Sequence, residues 1–223
     1  MVRLYRSLSL IRLEHALIAA SVPVPAPYST YRHVYYADER VVPLDHEDSN
    51  HNLCERELYS HLSGALPANQ IHPLNPKLLN DLEELTDDYE SKLIAEFASK
   101  DPARFPVFDL ILLGLGPDGH TASLFPGHSI LGESERWVVN VQDSPKPPPK
   151  RITLTLPVIN HAAHVAFVAT GEGKQKILQD ILDHPELGLP GSRVRPVLPG
   201  ELVWFVDDAA SKQADYARTS FGV

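Results

Sequence analysis

The sequence predicts an α/β fold with an open, mostly parallel sheet. Short apolar runs alternate with amphipathic stretches, one nearly continuous apolar run lies at the centre of the chain, and glycine-containing loops follow two of the runs. The 223 residues can bury roughly 70% of the surface that the unfolded chain exposes. We therefore expect a single domain over residues 1–223 with one core.

Two interpretations fit the first twenty residues. Arginines with only one acidic residue, Glu14, are typical of an organellar transit peptide. Apolar residues at three- and four-residue spacing between Leu4 and Ile18 instead favour an amphipathic helix, which the proline-rich stretch 22–27 would end. We favour the helix. A secretory signal is not expected, because charged residues interrupt the apolar run.

The next segment predicts one strand and two helices. Apolar and aromatic residues 31–37 form the strand, and the polar cluster Asp38-Glu39-Arg40 bounds it. A helix that begins at residue 49 or 50 follows and ends at Gly64. The apolar stripe within 81–99 predicts a second helix.

The clearest strand is the apolar run 107–115, which only Asp109 interrupts and which suits a strand buried on both faces. The proline-rich segment 145–150 is predicted to be a surface connection between two strands rather than a ligand for a proline-binding domain. Shorter strands are predicted at 137–141, 152–156, 165–170 and 202–206, with a helix at 173–182.

Composition excludes several classes of function. With 20 Lys and Arg against 29 Asp and Glu, the formal charge is −9, which argues against a nucleic-acid partner. A single cysteine, Cys54, excludes a disulfide framework and favours a reducing compartment. No apolar run reaches the roughly 20 residues that a bilayer-spanning helix requires. We therefore expect a cytoplasmic protein without a membrane partner.

The loop that follows the central strand carries the clearest candidate chemistry. It reads GLGPDGHTAS over 114–123, and loops at the carboxyl ends of strands form the ligand sites of open α/β sheets. Gly116 and Gly119 allow a ligand to approach the backbone closely. His120 is suited to proton transfer near neutral pH, and Asp118 is placed to orient it. The spacing matches neither a dinucleotide fingerprint nor a P-loop.

Three further polar segments begin or follow predicted strands at the same edge. Asp38 and Arg40 belong to the first, Lys150-Arg151 forms the second, and Lys174 lies in the third, at the start of a helix where an anion is favoured. Arginine can also bind a phosphate through two hydrogen bonds. Each segment alone is typical of a solvated charge, but together they predict a phosphorylated substrate.

Several of these segments together resemble one family. LGLGPDGHTASLFP (113–126) and YYADERVVPLDHEDSN (35–50) are similar to the 6-phosphogluconolactonases of the glucosamine/galactosamine-6-phosphate isomerase-like superfamily. PKRITLTLPVIN (149–160), TGEGK (170–174) and LPGSRVRPVLPGELVWFVDDAA (189–210) follow in the family's order. The resemblance covers a core over 31–223 and leaves a divergent segment over 1–30.

The resemblance implies a sheet with helices on both faces and the hydrolysis of 6-phospho-D-glucono-1,5-lactone in the pentose phosphate pathway. It implies no metal and no organic cofactor, a small phosphorylated sugar lactone as the partner, and a monomer. His120 would be the general base and Asp118 its support. The phosphate would be bound by positive residues, and an acidic position would belong to the active site. These residues are Arg40, Arg151 and Lys174 for the phosphate, and Asp38 for the acidic position.

Two features keep alternative functions open. No glycine precedes Gly64, so the chain is expected to lack the family's first strand-helix unit and its glycine-rich phosphate loop, and an impaired member that only binds phosphosugars is one alternative. A glucosamine-6-phosphate deaminase is another, but its motif DGHIAFNE has an acid where this chain has Phe125. A metal site at His46 and His51 is the weakest alternative, because these residues lie in a polar loop.

Overall fold

The computed structural model describes residues 2–6, 18–20, 33–62, 66–97, 104–216 and 218–220. Its strands are β1 (Val2–Arg6), β2 (Ile18–Ala20), β3 (Val34–Tyr36), β4 (Asp38–Arg40), β5 (Ile71–His72), β6 (Leu110–Gly114), β7 (Val138–Val141), β8 (Arg151–Leu154), β9 (His164–Ala169), β10 (Glu201–Val206) and β11 (Arg218–Ser220). Its α-helices are α1 (Asn50–Glu57), α2 (Leu82–Phe97), α3 (Leu156–Ile159), α4 (Gln175–Asp183), α5 (Pro190–Arg193) and α6 (Asp208–Ser211).

Eight strands form the main sheet in the order β11-β1-β10-β9-β6-β2-β3-β5. All neighbours in it are parallel except β2, which runs antiparallel to both β3 and β6. The expected α/β fold with an open, mostly parallel sheet and helices is therefore confirmed. Within the described residues, no helix combines the length and the apolar character that a membrane span requires.

A smaller antiparallel sheet of three strands, β4-β8-β7, was not predicted. The segments predicted as strands at 137–141 and 152–156 pair with each other here and not with the main sheet. The polar cluster Asp38-Glu39-Arg40 is a strand and not a boundary, and Asp38 lies opposite Thr153. Glu39 can be buried there because its carboxylate accepts hydrogen bonds from the backbone N–H groups of Arg40, Asn50 and His51, and so satisfies the start of α1.

The other predicted elements are found with shifted ends. The central strand is shorter than the run 107–115, and its residues alternate between buried and partly buried. Ser49 caps α1 by accepting a hydrogen bond from the Asn52 N–H at 3.2 Å. The predicted helix at 173–182 begins as a 3-10 turn, Glu172–Lys174, and continues as α4. Gly64 and Ser99 lie outside the described residues.

The helical interpretation of the N-terminus is wrong where the structure describes it. β1 lies in the main sheet between β10 and β11, and β2 lies between β3 and β6. Residues 7–17, the proline-rich stretch 22–27 and Tyr31 lie outside the described residues. The two short strands thus extend the parallel sheet on one side and introduce its antiparallel pairings on the other.

The site is positioned by two adjacent parallel strands. Leu113 of β6 lies opposite Phe167 of β9, so that the loops after Gly114 and Ala169 leave the sheet at the same edge. The Phe167 ring stacks on Trp204 of β10 at 3.9 Å, and all three strands carry fully buried side chains. A rigid core therefore underlies the loops that carry the candidate site.

Candidate active site

The loop after β6 is a tight turn closed by its own backbone. The Gly116 N–H donates to the His120 carbonyl at 2.8 Å, and the Gly119 N–H donates to the Gly116 carbonyl at 3.0 Å. Gly119 has a φ of +85°, a conformation that favours glycine. A Cβ on Gly116 would lie 1.9 Å from His120 Nδ1. Both glycines are therefore needed for the shape of the turn that presents His120.

His120 and Asp118 form a close pair at the surface of this turn. Nδ1 of His120 lies 2.5 Å from Oδ1 of Asp118, and the His120 side chain is 17% exposed. The ring of Phe125 packs against the imidazole with a centroid distance of 4.7 Å. Since Nδ1 faces the carboxylate, Nε2 is the nitrogen left for chemistry.

His120 opens onto a cavity of about 230 Å³. Residues from four separate segments of the sequence meet there, which confirms that these segments converge on one crevice. The predicted site residues that line it are Asp38, Arg40, Gly116, His120, Arg151 and Lys174. Asp118 and Gly119 do not line the cavity. Asp118 is hydrogen-bonded to His120, which does, and Gly119 shapes the turn. The exposed Lys150 also lies outside the lining.

Lys146 is a site residue that the sequence interpretation missed. Its ammonium lies 3.2 Å from Asp118 Oδ1 and 3.2 Å from His120 Nδ1, and it lines the same cavity. It belongs to the proline-rich connection between β7 and β8, which confirms the predicted connection but not its plain surface role. The available signal was a lysine between two prolines, five positions before Arg151.

Burial and the neighbouring charges leave the pKa values of both members of the pair below their ordinary values. Burial lowers the pKa of His120, Asp118 raises it, and Lys146 lowers it. The pKa of His120 therefore stays below its ordinary value. Burial acts to raise the pKa of Asp118, but its hydrogen bonds with His120 and Lys146 hold it below the usual value. A neutral imidazole beside an ionised carboxylate is therefore favoured at neutral pH.

Two further cations that line the cavity, Arg40 and Lys174, are suited to an anion. Arg40 Nη1 donates to the Asp48 carbonyl at 2.8 Å, and its Nε is buried without a hydrogen-bond partner among the described residues. Lys174 donates to the Leu115 carbonyl at 2.6 Å and so lies beside the His120 loop. A buried donor without a partner is unfavourable until a ligand accepts from it.

Arg151 is buried more deeply than the sequence suggested and serves mainly the protein itself. It is 3% exposed, and its guanidinium donates to the carbonyls of Lys146, Pro147 and Pro148. Its Nη1 lies 3.9 Å from Asp38 Oδ2, which also accepts from Ser123 Oγ at 2.6 Å. Arg151 thus joins the proline-rich loop to β4, and Ser123 is a second residue that the sequence interpretation missed.

His46 and His51, the residues considered for a metal site, form hydrogen bonds within the protein. His46 Nδ1 accepts from the Asp48 N–H at 3.1 Å, and His51 Nδ1 lies 2.7 Å from the Tyr36 hydroxyl. In the part of the chain that the structure describes, no group of three or more His, Cys, Asp or Glu side chains is arranged to hold a metal ion.

Comparison with known proteins agrees with this geometry. The profile of a family described as glucosamine-6-phosphate isomerases/6-phosphogluconolactonase matches residues 15–204. The chain belongs to this family. A probable 6-phosphogluconolactonase of Schizosaccharomyces pombe is 47% identical over 194 residues, which cover 85% of this chain and 74% of the relative. The 6-phosphogluconolactonase of Homo sapiens is 46% identical over 206 residues, which cover 92% of this chain and 77% of the relative.

Solved structures of the glucosamine-6-phosphate isomerase/6-phosphogluconolactonase family share the fold. The 6-phosphogluconolactonase of Trypanosoma cruzi superimposes with a TM-score of 0.68 at 32% identity and covers 82% of this chain and 72% of its own. That of Thermotoga maritima has a TM-score of 0.69 at 29% identity, with 92% and 84% covered. A monomeric glucosamine-6-phosphate deaminase has a TM-score of 0.60 at 20% identity over 79% of this chain and 72% of its own, which shows the fold alone.

Proposed function

We propose that this chain hydrolyses 6-phospho-D-glucono-1,5-lactone to 6-phospho-D-gluconate, with His120 as the general base. The observation that carries the proposal is the Asp118–His120 pair, 2.5 Å apart at the edge of a cavity that Arg40 and Lys174 also line. The pair supplies a base near neutral pH, and the cations supply a site for a phosphate. The names of the relatives with 46–47% identity support the same substrate.

The reaction needs one proton acceptor that later becomes a donor. His120 Nε2 takes a proton from water as the water oxygen bonds to the lactone carbonyl carbon. Asp118 stabilises the imidazolium through Nδ1–H. The tetrahedral intermediate then collapses, the bond from that carbon to the ring oxygen breaks, and Nε2 returns its proton to the departing oxygen. The free carboxylic acid ionises and releases one proton into solution.

The phosphate would bind at Arg40 and Lys174, which line the cavity together with His120. Arg40 lines the cavity, and a phosphate oxygen that reached its Nε would satisfy this buried donor. Lys174 follows β9 and would bring a second charge to the same anion. Arg151 would contribute mainly through its field, because its donors serve the proline-rich loop. Asp38 also lines the cavity, and its carboxylate lies 3.9 Å from Arg151 Nη1, whose charge it balances.

The test measures proton release from freshly generated 6-phosphogluconolactone against its spontaneous opening. Because general base catalysis contributes about 10²–10⁴-fold, His120→Ala should lose acceleration by at least about 10²-fold and still bind 6-phosphogluconate in calorimetry. Lys174→Ala should raise KM with a smaller change in kcat. Equal activity of His120→Ala and the unmodified chain would contradict the assignment.

The same measurements separate the alternative functions. Binding of 6-phosphogluconate by the unmodified chain without any acceleration would identify an impaired, phosphosugar-binding member. A deaminase would release ammonia from glucosamine 6-phosphate, which we do not expect. The ring of Phe125, buried against His120, supplies no carboxylate for that reaction.

We also propose that the chain acts as a monomer in the cytoplasm, without nucleic-acid or membrane partners. The net charge of −9 argues against a nucleic-acid partner, and the single buried Cys54 is typical of a reducing compartment. Light scattering coupled to size exclusion should give a mass close to 24.7 kDa. A tagged chain found in an organelle would favour the transit-peptide interpretation of the N-terminus.

A further inference from the structure

Lys146 contacts both members of the Asp118–His120 pair. Neither its place in a surface loop nor phosphate binding alone explains these contacts. Its Nζ lies 3.2 Å from Asp118 Oδ1 and 3.2 Å from His120 Nδ1, on the side of the imidazole that faces the carboxylate. The Lys146 and Asp118 side chains are 37% and 38% exposed. The Lys146 ammonium, the Asp118 carboxylate and the His120 imidazole therefore form a group of three in mutual contact.

The loop that carries Lys146 is held by side chains on both sides of it. Arg151 donates to the Lys146 carbonyl and to the two carbonyls that follow, at 3.0–3.1 Å. Ser144 Oγ donates to the Lys146 carbonyl at 2.8 Å and accepts from its N–H at 3.2 Å. His128 anchors the start of the loop through Asp143 at 2.8 Å. The backbone of Lys146 is thus fixed, and its side chain is aimed by the fold.

The polarity of the three groups decides where the imidazole carries its proton. An ammonium only donates, and an ionised carboxylate only accepts. A carboxylate oxygen 2.5 Å from Nδ1 needs a proton between the two atoms, so Nδ1 donates to Asp118. Lys146 then donates to the same Asp118 oxygen. The remaining nitrogen of the ring, Nε2, is the basic one.

We infer that Lys146 is a positioning residue: it clamps Asp118 against His120 Nδ1 and so fixes the imidazole with Nε2 as the base. The inference rests on the proposed lactonase function and adds a residue to it. Lys146 also opposes the charged form of His120, because a positive charge beside an imidazole disfavours protonation. Without Lys146, more of His120 would be protonated, and inactive as a base, at mildly acidic pH.

The other charges around His120 set the size of this effect. Asp118 and, from β4, Asp38 favour the imidazolium, while burial opposes it. The Lys146 ammonium lies 3.2 Å from His120 Nδ1 and acts in the same direction as burial. The remaining charged groups that line the cavity are Arg40, Arg151 and Lys174.

The test compares Lys146→Met with Lys146→Arg and with Lys150→Met, which removes a charge from the exposed end of the same loop. The pKa of His120 is read from the imidazole C–H signal in NMR, which the His120→Ala spectrum identifies. In Lys146→Met the pKa of His120 should rise, kcat should fall by about tenfold, and the acid limb of kcat/KM should move to higher pH. Lys146→Arg should restore most of each change, and Lys150→Met should show none.

The two readouts distinguish the failure of this inference from the failure of the proposed function. An unchanged or lowered His120 pKa in Lys146→Met overturns the inference, whatever the activity. A rise in KM with kcat and the His120 pKa unchanged would also overturn it and make Lys146 a substrate ligand. If the unmodified chain does not accelerate lactone opening, the proposed function fails, while the NMR titration still reports whether Lys146 controls His120.

Discussion

Gly116 leaves the space that the His120 imidazole occupies. A Cβ on Gly116 would lie 1.9 Å from Nδ1 and 2.1 Å from Cε1 of His120, and 2.7 Å from Asp118 Oδ1. No rotation of one side chain relieves three such contacts, because the ring is also packed against Phe125. The glycine of this loop therefore acts by its missing side chain, which lets the base and its carboxylate lie against the backbone.

We predict that Gly116→Ala abolishes most of the lactonase activity without unfolding the chain. The methyl group must displace His120 or Asp118, and a misplacement of about 1 Å lowers rates by about 10²-fold. The control is Gly132→Ala, because a Cβ there meets nothing within 4 Å among the described residues. Steady-state kinetics and thermal unfolding of both variants measure the effect. Wild-type kcat in Gly116→Ala would contradict the site geometry.

We predict that Asp118→Asn lowers kcat and moves the acid limb of kcat/KM to lower pH. The carboxylate favours the charged imidazole, so its removal lowers the pKa of His120 further. At the same time the amide no longer holds the Nδ1–H tautomer, and turnover should fall by about 10²-fold or more. Full pH–rate profiles measure both effects. A shift of the limb to higher pH would show that Asp118 does not stabilise the imidazolium.

The turn that carries Asp118 and His120 could be predicted because its residues lie close together in the chain. An apolar strand followed by GLGPDGH fixes the turn, the position of His120 and its pairing with Asp118 within a few residues. The α/β class followed from the alternation of elements in the same way. These features depend on short-range patterns that a sequence displays directly.

The small antiparallel sheet could not be predicted, because its strands are short and β4 pairs with β8 across a long separation. β4 carries three charged residues and reads as a boundary, yet it pairs with β8 more than a hundred positions later. The burial of Asp38 depends on Ser123 and Arg151, which come from two other segments. The role of Lys146 could not be predicted either, because its contacts with Asp118 and His120 join segments 28 and 26 positions apart.

We predict that Arg151→Met lowers the free energy of unfolding by about 3 kcal/mol, because it leaves the carboxylate of Asp38 buried without its cation. Adding Asp38→Asn should recover part of this loss, so that the double variant loses less than the sum of the single variants. Urea unfolding measures the cycle. The control Arg56→Met removes an exposed arginine and should change stability by less than about 0.5 kcal/mol. Strict additivity of the two changes would show that Asp38 and Arg151 do not interact.

We predict that His72 makes the fold less stable as the pH falls from 6.5 to 4. Its ring stacks on Tyr35 at 4.3 Å and its Nε2 lies 2.9 Å from His33 Nδ1. Burial, and then the neighbouring His33, lower its pKa from 6.5 to about 4. The unfolded chain therefore binds more protons than the folded one within this interval, and stability is lost on acidification.

The full effect amounts to at most about 3 kcal/mol between these two pH values. His72→Phe keeps a ring on Tyr35 but cannot take up a proton, so its unfolding free energy should fall less steeply over the interval than that of the unmodified chain. Urea unfolding at several pH values measures the two slopes. His61→Phe, at an exposed position of the 3-10 turn after α1, is the control and should keep the slope of the unmodified chain. Parallel slopes for His72→Phe and the unmodified chain would mean that His72 is protonated in the folded protein as readily as in the unfolded one.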